Sequence, residues 1–372
     1  MSDGMRALAD RIAGEAGRSH VVLCGRGTTA LWLALRAIAR RDGPGEVILP
    51  DLLCFTALEG VLLAGFTPVF ADVLSGRFTL DPGDVERKVT PRTRAILVAH
   101  LFGHIADLDA IRAAAPGVPI IEDAVQGLGG CIDGKPVGAW GDVAFVSFDP
   151  HKMIDGRGGA VIGDDVALMD AIATDAVRLP ALPDFDLSVL DAMLPAPAAR
   201  GMADMLRRDA PALLRPFDDA GENVDRITAG WDTLADRVAA RNANAAWLAE
   251  RLKDLPLVPP DLRAGDAIWR YTISAPTPIL ARRIVYAMEA AGLSGSDLYP
   301  PLSALFGQAT GASRFAGRLL NLFVDESATP DMLARTGDAI AGLRALQTHR
   351  DLTPNLSSVG VGAGRQARPD TP

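Results

Sequence analysis

Three short stretches of the chain carry polar side chains at places where chemistry could occur. The segment CGRGTTAL (24–31) has glycines and threonines between an apolar run and a helical pattern, where backbone N–H groups can bind an anion. IIEDAVQ (120–126) carries Asp123 at the end of a strongly apolar run, and a buried carboxylate needs a partner. SFDPHKMIDGRGG (147–159) places Lys152, a potential nucleophile, in a loop that ends in glycines.

Together these features are the parts of a pyridoxal 5'-phosphate (PLP) site. Lys152 would form the Schiff base, Asp123 would pair with the protonated pyridine nitrogen, and the turn with Ser147 would hold the phosphate. Each feature alone also fits an ordinary role, namely a tight turn, a helix cap and a solvated lysine. The set of three favours the cofactor site.

The glycine turn also allows a different function. Taken as GxGxxA from Gly25 to Ala30, it is similar to half of a dinucleotide fingerprint, with Asp51 as the ribose acid. A nicotinamide dehydrogenase would have no particular use for Lys152 or for IIEDAVQ, so this alternative ranks last.

The elements that must position these stretches follow from the hydrophobic pattern. Between about residues 21 and 165, the apolar runs VVLC, EVILP, PVFADV, AILVAH, VPIIEDA and DVAFVSF alternate with helical patterns. Continuous apolar strands separated by helices predict an α/β protein whose parallel sheet is covered on both faces. GGAVIGDD (158–165) predicts a strand that returns beside DVAFVSF. Ligands bind beyond the carboxyl ends of such strands, where the three stretches lie.

The rest of the chain predicts a second, smaller domain. A proline-rich region covers about 175–230, a long helix follows from Trp231, and the later pattern is compatible with a small α/β domain. We predict a large cofactor-binding domain over 1–230 and a linking helix with a small C-terminal domain over 231–348. The apolar-poor residues 349–372 are predicted to be disordered.

Composition excludes several classes of function. The 372 residues carry a net charge of −9 with a pI near 5.1, and the charges are scattered, which argues against nucleic-acid and anionic-membrane partners. Cys24, Cys54 and Cys131 lie far apart, so neither a disulfide framework nor a structural zinc site is predicted. With no apolar run of signal-peptide or membrane-span character, the sequence predicts a reduced, cytoplasmic protein without a metal.

The chain resembles the DegT/DnrJ/EryC1/StrS family of PLP-dependent aminotransferases. The resemblance runs from about residue 20 to 165 through GTTAL, EVILP, PVFADV, TPRTRAILVAHLFGHIADLDAI, IEDAVQGLGG, GKPVGAWGDVAFVSF and HKMIDGRGGAVI. It implies the type I aminotransferase fold, with a mostly parallel seven-stranded sheet and a small C-terminal α/β domain. It also implies that an amino acid, glutamate by family habit, passes its amino group to a keto substrate, mainly a nucleotide-linked keto sugar. Polysaccharide or secondary-metabolite biosynthesis would be the setting.

The resemblance assigns roles to individual residues. Lys152 would also move the proton between the substrate carbon and the cofactor, and Gln126 would contact the ring or its phenolic oxygen. The phosphate would be bound by Ser147 together with Gly27 and Thr28, and Thr29 is a further expected cofactor-binding residue. Asn223, in AGENVDR, would reach the phosphate of the neighbouring subunit, which implies a homodimer with shared active sites.

Several positions depart from the family pattern. The family's ring-stacking aromatic after the second strand is replaced by Cys54, so either Phe55 takes over by a one-residue shift or smaller groups cover the ring. The family's amino-terminal arm is missing or replaced. SDLYPPLSALFG resembles the tyrosine–proline stretch near substrate and supplies Tyr299, but its histidine has become Leu298.

Three histidines are further candidates for the substrate pocket. A subgroup of the family carries histidine in place of the lysine and dehydrates the sugar, but the fifth residue after Ser147 is Lys152, so His151 does not take that place. His151 is also compatible with an ordinary loop residue. His100 and His104, in AHLFGH, either line the pocket or serve packing.

Two other functions stay open beside transamination. One is a PLP-dependent lyase or dehydratase on a related sugar. The other is a regulatory or binding protein on a decayed scaffold, against which the intact Lys152, Asp123 and Ser147 argue.

Overall fold

The computed structural model describes residues 2–342, and within them it has twelve α-helices and twelve β-strands. The helices are α1 (Asp3–Ala16), α2 (Gly27–Asp42), α3 (Phe55–Leu63), α4 (Pro82–Lys88), α5 (Leu108–Ala114), α6 (Val166–Ala176), α7 (Val189–Met193), α8 (Ala196–Leu213), α9 (Gly221–Asp232), α10 (Leu234–Leu252), α11 (Pro278–Ala290) and α12 (Pro330–Gly342). The strands are β1 (His20–Cys24), β2 (Glu46–Pro50), β3 (Thr67–Ala71), β4 (Thr93–Ala99), β5 (Ile120–Asp123), β6 (Cys131–Ile132), β7 (Lys135–Pro136), β8 (Val143–Ser147), β9 (Gly159–Gly163), β10 (Tyr271–Ser274), β11 (Gly295–Ser296) and β12 (Leu319–Leu322).

The larger sheet has seven strands in the order β1-β9-β8-β5-β4-β2-β3. The strands from β3 to β8 in this order pair in parallel, whereas β9 pairs antiparallel with both β8 and β1. Every residue of β5 and β8 is buried, as expected for parallel strands covered on both faces. The predicted α/β class, the mostly parallel sheet and the returning strand are confirmed.

Alternation along the central strands decides which side chains can meet α2. Val143 and Phe145 pack in the apolar cluster that contains α2, whereas Ala144 and Val146 pack in the cluster that contains α1. Successive side chains of a strand point to opposite faces, so Ser147 lies on the α2 face. The same rule places Asp123 on the α2 face and Glu122 on the other, because Ile121 belongs to the α2 cluster.

A second sheet, β10-β12-β11, is antiparallel and shares an apolar cluster with α10, α11 and α12. It lies within the predicted small domain of 231–348, and the predicted boundary at 230 falls near the end of α9. The division into two domains stays a proposal, and the predicted tail of 349–372 lies outside the described residues. No helix in residues 2–342 is long and apolar enough to cross a membrane.

The proline-rich region of 175–230 is more regular than its composition indicates. LPAPAARG, which resembles a turn in the sequence, opens the 18-residue helix α8, with a proline in its first turn. Proline is tolerated there because the first N–H groups of a helix have no partner within the helix. The helix then packs Leu206, Ala210 and Leu213 into the α2 cluster.

Asp51 joins the larger sheet to the segment before β12. Its fully buried carboxylate accepts hydrogen bonds from the backbone N–H of Ser303 (2.6 Å), from the Ser303 hydroxyl (2.7 Å) and from the Thr310 hydroxyl (2.5 Å). These donors occupy the carboxylate, so Asp51 connects the two segments through hydrogen bonds and does not act as a ribose ligand.

We expect Asp51→Ala to lower the free energy of unfolding by about 3 kcal/mol, because three donors lose a shared charged acceptor. Urea unfolding measures this change. Asp10→Asn, at an exposed position of α1, serves as the control and should stay within about 0.5 kcal/mol of wild type. Equal stabilities of the two variants would contradict the assigned role of Asp51.

Candidate active site

A cavity of about 250 Å³ opens at the carboxyl-terminal edge of the larger sheet, where β5 and β8 end beside the start of α2. Its lining residues are Arg26, Gly27, Thr28, Leu31, Cys54, Thr56, Ala57, Asp123, Val125, Gln126, Phe145, Ser147, Asp149, Pro150 and Lys152. Open parallel sheets bind ligands at this edge. The structure therefore brings together the three stretches that the sequence singled out.

A larger cavity, of about 560 Å³, lies at the opposite edge of the sheet. Its three arginines already have carboxylate partners: Arg18 with Asp164 at 2.7 Å, Arg41 with Asp42 at 2.9 Å and Arg112 with Asp142 at 3.3 Å. Its lysine lies over the Trp140 ring. Neither Lys152 nor Asp123, on which the predicted chemistry depends, lines this cavity.

The start of α2 is built to accept an anion. Arg26 is the N-cap residue, but its side chain makes no capping hydrogen bond, so no side chain caps the first N–H groups of the helix. A Cβ atom at Gly27 would lie 2.9 Å from the Ser147 Cβ, so only glycine lets the end of β8 approach the helix this closely. The N–H groups, the Thr28 hydroxyl and the Ser147 hydroxyl form a set that fits a phosphate.

Thr29 does not present its side chain to this cavity. It is fully buried, and its hydroxyl donates to the Leu213 carbonyl (2.8 Å) while accepting from the Arg215 N–H (3.2 Å). The Thr29 hydroxyl thus ties α2 to the segment after α8, and contact of Thr29 with a cofactor through its backbone N–H stays a prediction.

Asp123 supplies a carboxylate that is almost removed from water. Its Oδ1 accepts from the Val125 N–H at 3.0 Å, and its Oδ2 accepts no hydrogen bond from residues 2–342. Burial raises the pKa of Asp123 to about 6, while the Val125 bond and the charge of Lys152 act in the opposite direction. A carboxylate in this state can stabilise a cationic N–H group placed beside it.

Lys152 lies in the same cavity, in the loop after β8. Its Nζ is 5.0 Å from the centre of the Trp269 ring and forms no ion pair with a carboxylate of the described residues. The Trp269 indole N–H donates to the His151 carbonyl at 2.8 Å and so holds the loop from the side of β10. The amine is thus positioned by packing, and it acts on Asp123 through its charge without a direct ion pair.

Gln126 lines the cavity and links it to Tyr299. Its Oε1 accepts from the Phe102 N–H (2.8 Å), and its Nε2 donates to the Tyr299 hydroxyl (3.2 Å). The Tyr299 ring stacks on Phe102 with ring centres 5.9 Å apart, and burial raises the pKa of the phenol. Tyr299 therefore stands next to the site as a neutral hydroxyl, and contact of Gln126 with a cofactor ring stays a prediction.

Of the two candidates for covering a ring, the structure places only Cys54 at the cavity. The Cys54 Sγ lies 3.2 Å from the Thr56 hydroxyl at the start of α3. Phe55 is partly buried against the apolar cluster of α2. Phe55 therefore does not take the place of the ring-stacking aromatic at the cavity, because the first turn of α3 directs its side chain into that cluster. Cys54, Thr56 and Ala57 are the residues that line the cavity on the side of α3.

The three histidines do not line the cavity. His100 is fully buried between the Glu122 carboxylate (3.0 Å from Nε2) and the Ala106 N–H, which donates to its Nδ1 (3.0 Å). His104 is also fully buried, 3.5 Å from Asp266, and burial lowers its pKa. His151 is exposed on the loop. Burial therefore favours packing, one of the two roles considered, for His100 and His104, while a substrate contact of His151 stays a prediction.

Asn223 holds the glycine loop after Lys152. Its amide donates to the carbonyls of Arg157 (2.8 Å) and Asp218 (2.9 Å), and its Oδ1 accepts from the Arg157 N–H (2.8 Å). These bonds lie within one chain and away from that chain's cavity. Its contact with the phosphate of a neighbouring subunit stays a prediction.

Sequence reasoning missed four residues around the site. Arg26 and Asp149 form an ion pair (2.9 Å) on the cavity wall, although both stand inside the motifs that were singled out. Trp269 lies against Lys152, and Arg270 packs over the same indole ring at 4.3 Å. A single sequence carries no signal for pairs so distant along the chain.

Comparison with known proteins gives a consistent result. A model described as the DegT/DnrJ/EryC1/StrS aminotransferase family matches residues 3–178. A UDP-N-acetyl-3-dehydro-alpha-D-glucosamine 3-aminotransferase of Acidithiobacillus ferrooxidans is 43% identical over 168 residues, which are 44% of this chain and 45% of that protein. An L-glutamine:scyllo-inosose aminotransferase of Streptomyces griseus is 30% identical over 310 residues, covering 80% of this chain and 70% of that one. The chain spans about half the length of several curated relatives that it matches.

Solved structures match nearly the whole chain. The crystal structure of DesV from S. venezuelae has a TM-score of 0.74 and 26% identity, and covers 94% of this chain and 91% of that one. TlmJ, an aminotransferase from Streptoalloteichus hindustanus, has a TM-score of 0.78 at 23% identity, with coverages of 93% and 92%. These matches confirm the predicted fold.

We expect cofactor-free Asp123→Asn to unfold with a free energy about 3 kcal/mol higher than wild type at pH 7. The pKa of Asp123 is about 6 in the folded state against an ordinary 3.8, so wild type loses stability as pH rises through this window, where the native state holds more protons than the unfolded state. Asparagine does not ionise and escapes this cost.

Urea unfolding across this pH range checks the difference, which should disappear once the pH falls below 3.8. Asp225→Asn, at an exposed position of α9, should show no such pH-dependent gap. A gap for Asp123→Asn that is the same at every pH would contradict the buried-carboxylate account.

Proposed function

The chain belongs to the DegT/DnrJ/EryC1/StrS aminotransferase family, and on this premise we propose that it is a PLP-dependent aminotransferase. It would transfer the amino group of an amino acid, glutamate in the first instance, to a nucleotide-linked keto sugar. The observation that carries the proposal is the single cavity lined by Lys152, Asp123 and the uncapped start of α2. The relatives named for sugar transamination support the substrate class.

One relative favours a second pair of substrates. The protein aligned over 80% of this chain is named for L-glutamine and scyllo-inosose, a keto substrate whose name includes no nucleotide. Glutamine as donor and a cyclic ketone of this kind as acceptor are thus the second candidate. A lyase or dehydratase is not favoured, because the two relatives described above are named as aminotransferases.

The residues present fit the cofactor that the family uses. The N–H groups of the first turn of α2 would bind the phosphate together with the hydroxyls of Thr28 and Ser147. Asp123 would lie at the pyridine nitrogen, and Lys152 would hold the cofactor covalently. Cys54, with Thr56 and Ala57, would cover one face of the ring. When bound, PLP supplies an electron-accepting ring and an aldehyde carbon that amines attack.

Asp123 and Lys152 would then act on two different protons, one at the pyridine nitrogen and one at the reacting carbon. The Asp123 carboxylate has a pKa of about 6 and is mostly ionised at neutral pH, so it would keep a proton on the nitrogen beside it. The Lys152 Nζ has no carboxylate partner within the described chain and would take and return a proton at the reacting carbon. The Trp269 ring and its bond to the His151 carbonyl would keep this amine in reach.

The proposal includes a homodimer in the cytoplasm. The dimer rests on the family resemblance of Asn223, and the location on the three free, widely spaced cysteines. Since Asn223 holds Arg157 in its own chain, a partner's phosphate would add to bonds that already order the loop after Lys152.

The first test is the absorbance of the purified protein. We expect wild type mixed with PLP and freed of excess cofactor to show a visible band. Borohydride should abolish this band and leave the cofactor permanently attached, because it reduces the C=N bond to Lys152 to a stable amine. Lys152→Ala should show neither the band nor the attached cofactor. Lys135→Ala, an exposed lysine over Trp140, is the matched control and should behave like wild type. A wild-type protein that never binds PLP would overturn the proposal and favour a binding or regulatory protein.

The second arm of this experiment separates the reactions. Glutamate or glutamine should bleach the wild-type band, and a nucleotide-linked keto sugar or an inosose should restore it with formation of the amino product. Bleaching by no amino acid would argue against transamination and favour a lyase. The acceptor that restores the band decides between the two substrate pairs.

A further inference from the structure

An ion pair borders the cavity beside the predicted phosphate site. The Arg26 Nε lies 2.9 Å from the Asp149 Oδ2, and both side chains are largely but not completely buried, with 29% and 18% exposed. Arg26 directly precedes the first residue of α2, and Asp149 follows Ser147 by two positions. The pair therefore joins the two elements that would hold the phosphate.

Arg26 has donors that its partner does not use. An arginine carries five N–H donors, and in the described chain only the Nε of Arg26 makes a side-chain hydrogen bond. The Nη groups belong to a side chain that lines the cavity. They are thus free to bind an anion while the Nε stays on Asp149.

Asp149 makes a cation here necessary for phosphate binding. Its N–H donates to the Ser147 hydroxyl at 3.3 Å, so Asp149 lies beside a predicted phosphate ligand and lines the same cavity. Like charges a few ångströms apart repel strongly in a partly buried site. The only ion-pair partner of Asp149 within residues 2–342 is Arg26.

We propose that Arg26 is a direct ligand of the cofactor phosphate, held in place by Asp149. The inference rests on the proposed function, since it needs PLP in this cavity. The planar guanidinium fork can bind a carboxylate through one edge and phosphate oxygens through another, which an ammonium group cannot do in the same geometry. Asp149 is then a positioning residue.

The test compares the dissociation constants of PLP and of pyridoxal, which lacks the phosphate. Arg26→Gln should weaken PLP binding about 10- to 100-fold, as for the loss of hydrogen bonds between charged groups, and leave pyridoxal binding nearly unchanged. Arg26→Lys should recover only part of the loss. Arg282→Gln, at an exposed arginine of α11, is the matched control and should bind both compounds like wild type.

The same measurement in an Asp149→Asn background separates two roles of Arg26. A direct ligand keeps its effect on PLP when the carboxylate is gone, so Arg26→Gln/Asp149→Asn should still bind PLP at least about tenfold more weakly than Asp149→Asn. An effect that vanishes in this background would show that Arg26 only neutralises Asp149. An equal loss for PLP and pyridoxal would show a structural role.

Either of those outcomes overturns the proposal for Arg26 while leaving PLP binding by wild type intact. A wild-type protein that binds no PLP, judged by the visible band, would instead overturn the proposed function and this inference with it. The two failures are therefore distinguishable in one set of titrations.

Discussion

The desolvated carboxylate of Asp123 is the constraint on which the rest of the site depends. Two neighbouring acidic residues of β5 differ in the number of hydrogen bonds that their carboxylates accept. Glu122 faces away from α2 and accepts from His100 and from three backbone N–H groups. Asp123 faces the cavity with one hydrogen bond, so burial keeps its pKa near 6. A buried carboxylate with few hydrogen bonds is compensated by a ligand or by a nearby positive charge. For Asp123 these cations are Lys152 and the protonated pyridine nitrogen of the cofactor.

Each other element of the site places a group relative to that carboxylate. Strand alternation puts Ser147 on the same face as Asp123, and Gly27 lets α2 start against it. Trp269, just before β10, holds the loop of Lys152 through its bond to the His151 carbonyl. Gln126 donates to the Tyr299 hydroxyl and so connects the cavity with the segment before β12. Because these contacts come from elements far apart in sequence, the site is completed only when the segments around both sheets are packed together.

The sheet and the three reactive stretches could be predicted because they depend on local pattern. Apolar runs define β5 and β8, and the residues that end them, Asp123 and Ser147, lie at the ligand edge by the geometry of parallel strands. The set of three stretches gave Lys152 its Schiff-base role, and the family resemblance added the proton transfer. Side-chain direction at the ends of elements was less predictable. Thr29 and Phe55 are each next to a cavity residue, yet one turns to the segment after α8 and the other to the apolar core. Arg26 and Asp149 meet across 123 positions, and no rule of spacing joins them.

Asp123 would keep the cofactor's pyridine nitrogen protonated, and the proposed chemistry depends on this proton. Nitrogen-15 NMR of the protein loaded with ring-labelled PLP measures this directly. A protonated nitrogen at neutral pH in wild type, and an unprotonated one in Asp123→Asn, is the predicted result. An unprotonated nitrogen in wild type, or the same signal in both proteins, would contradict the account.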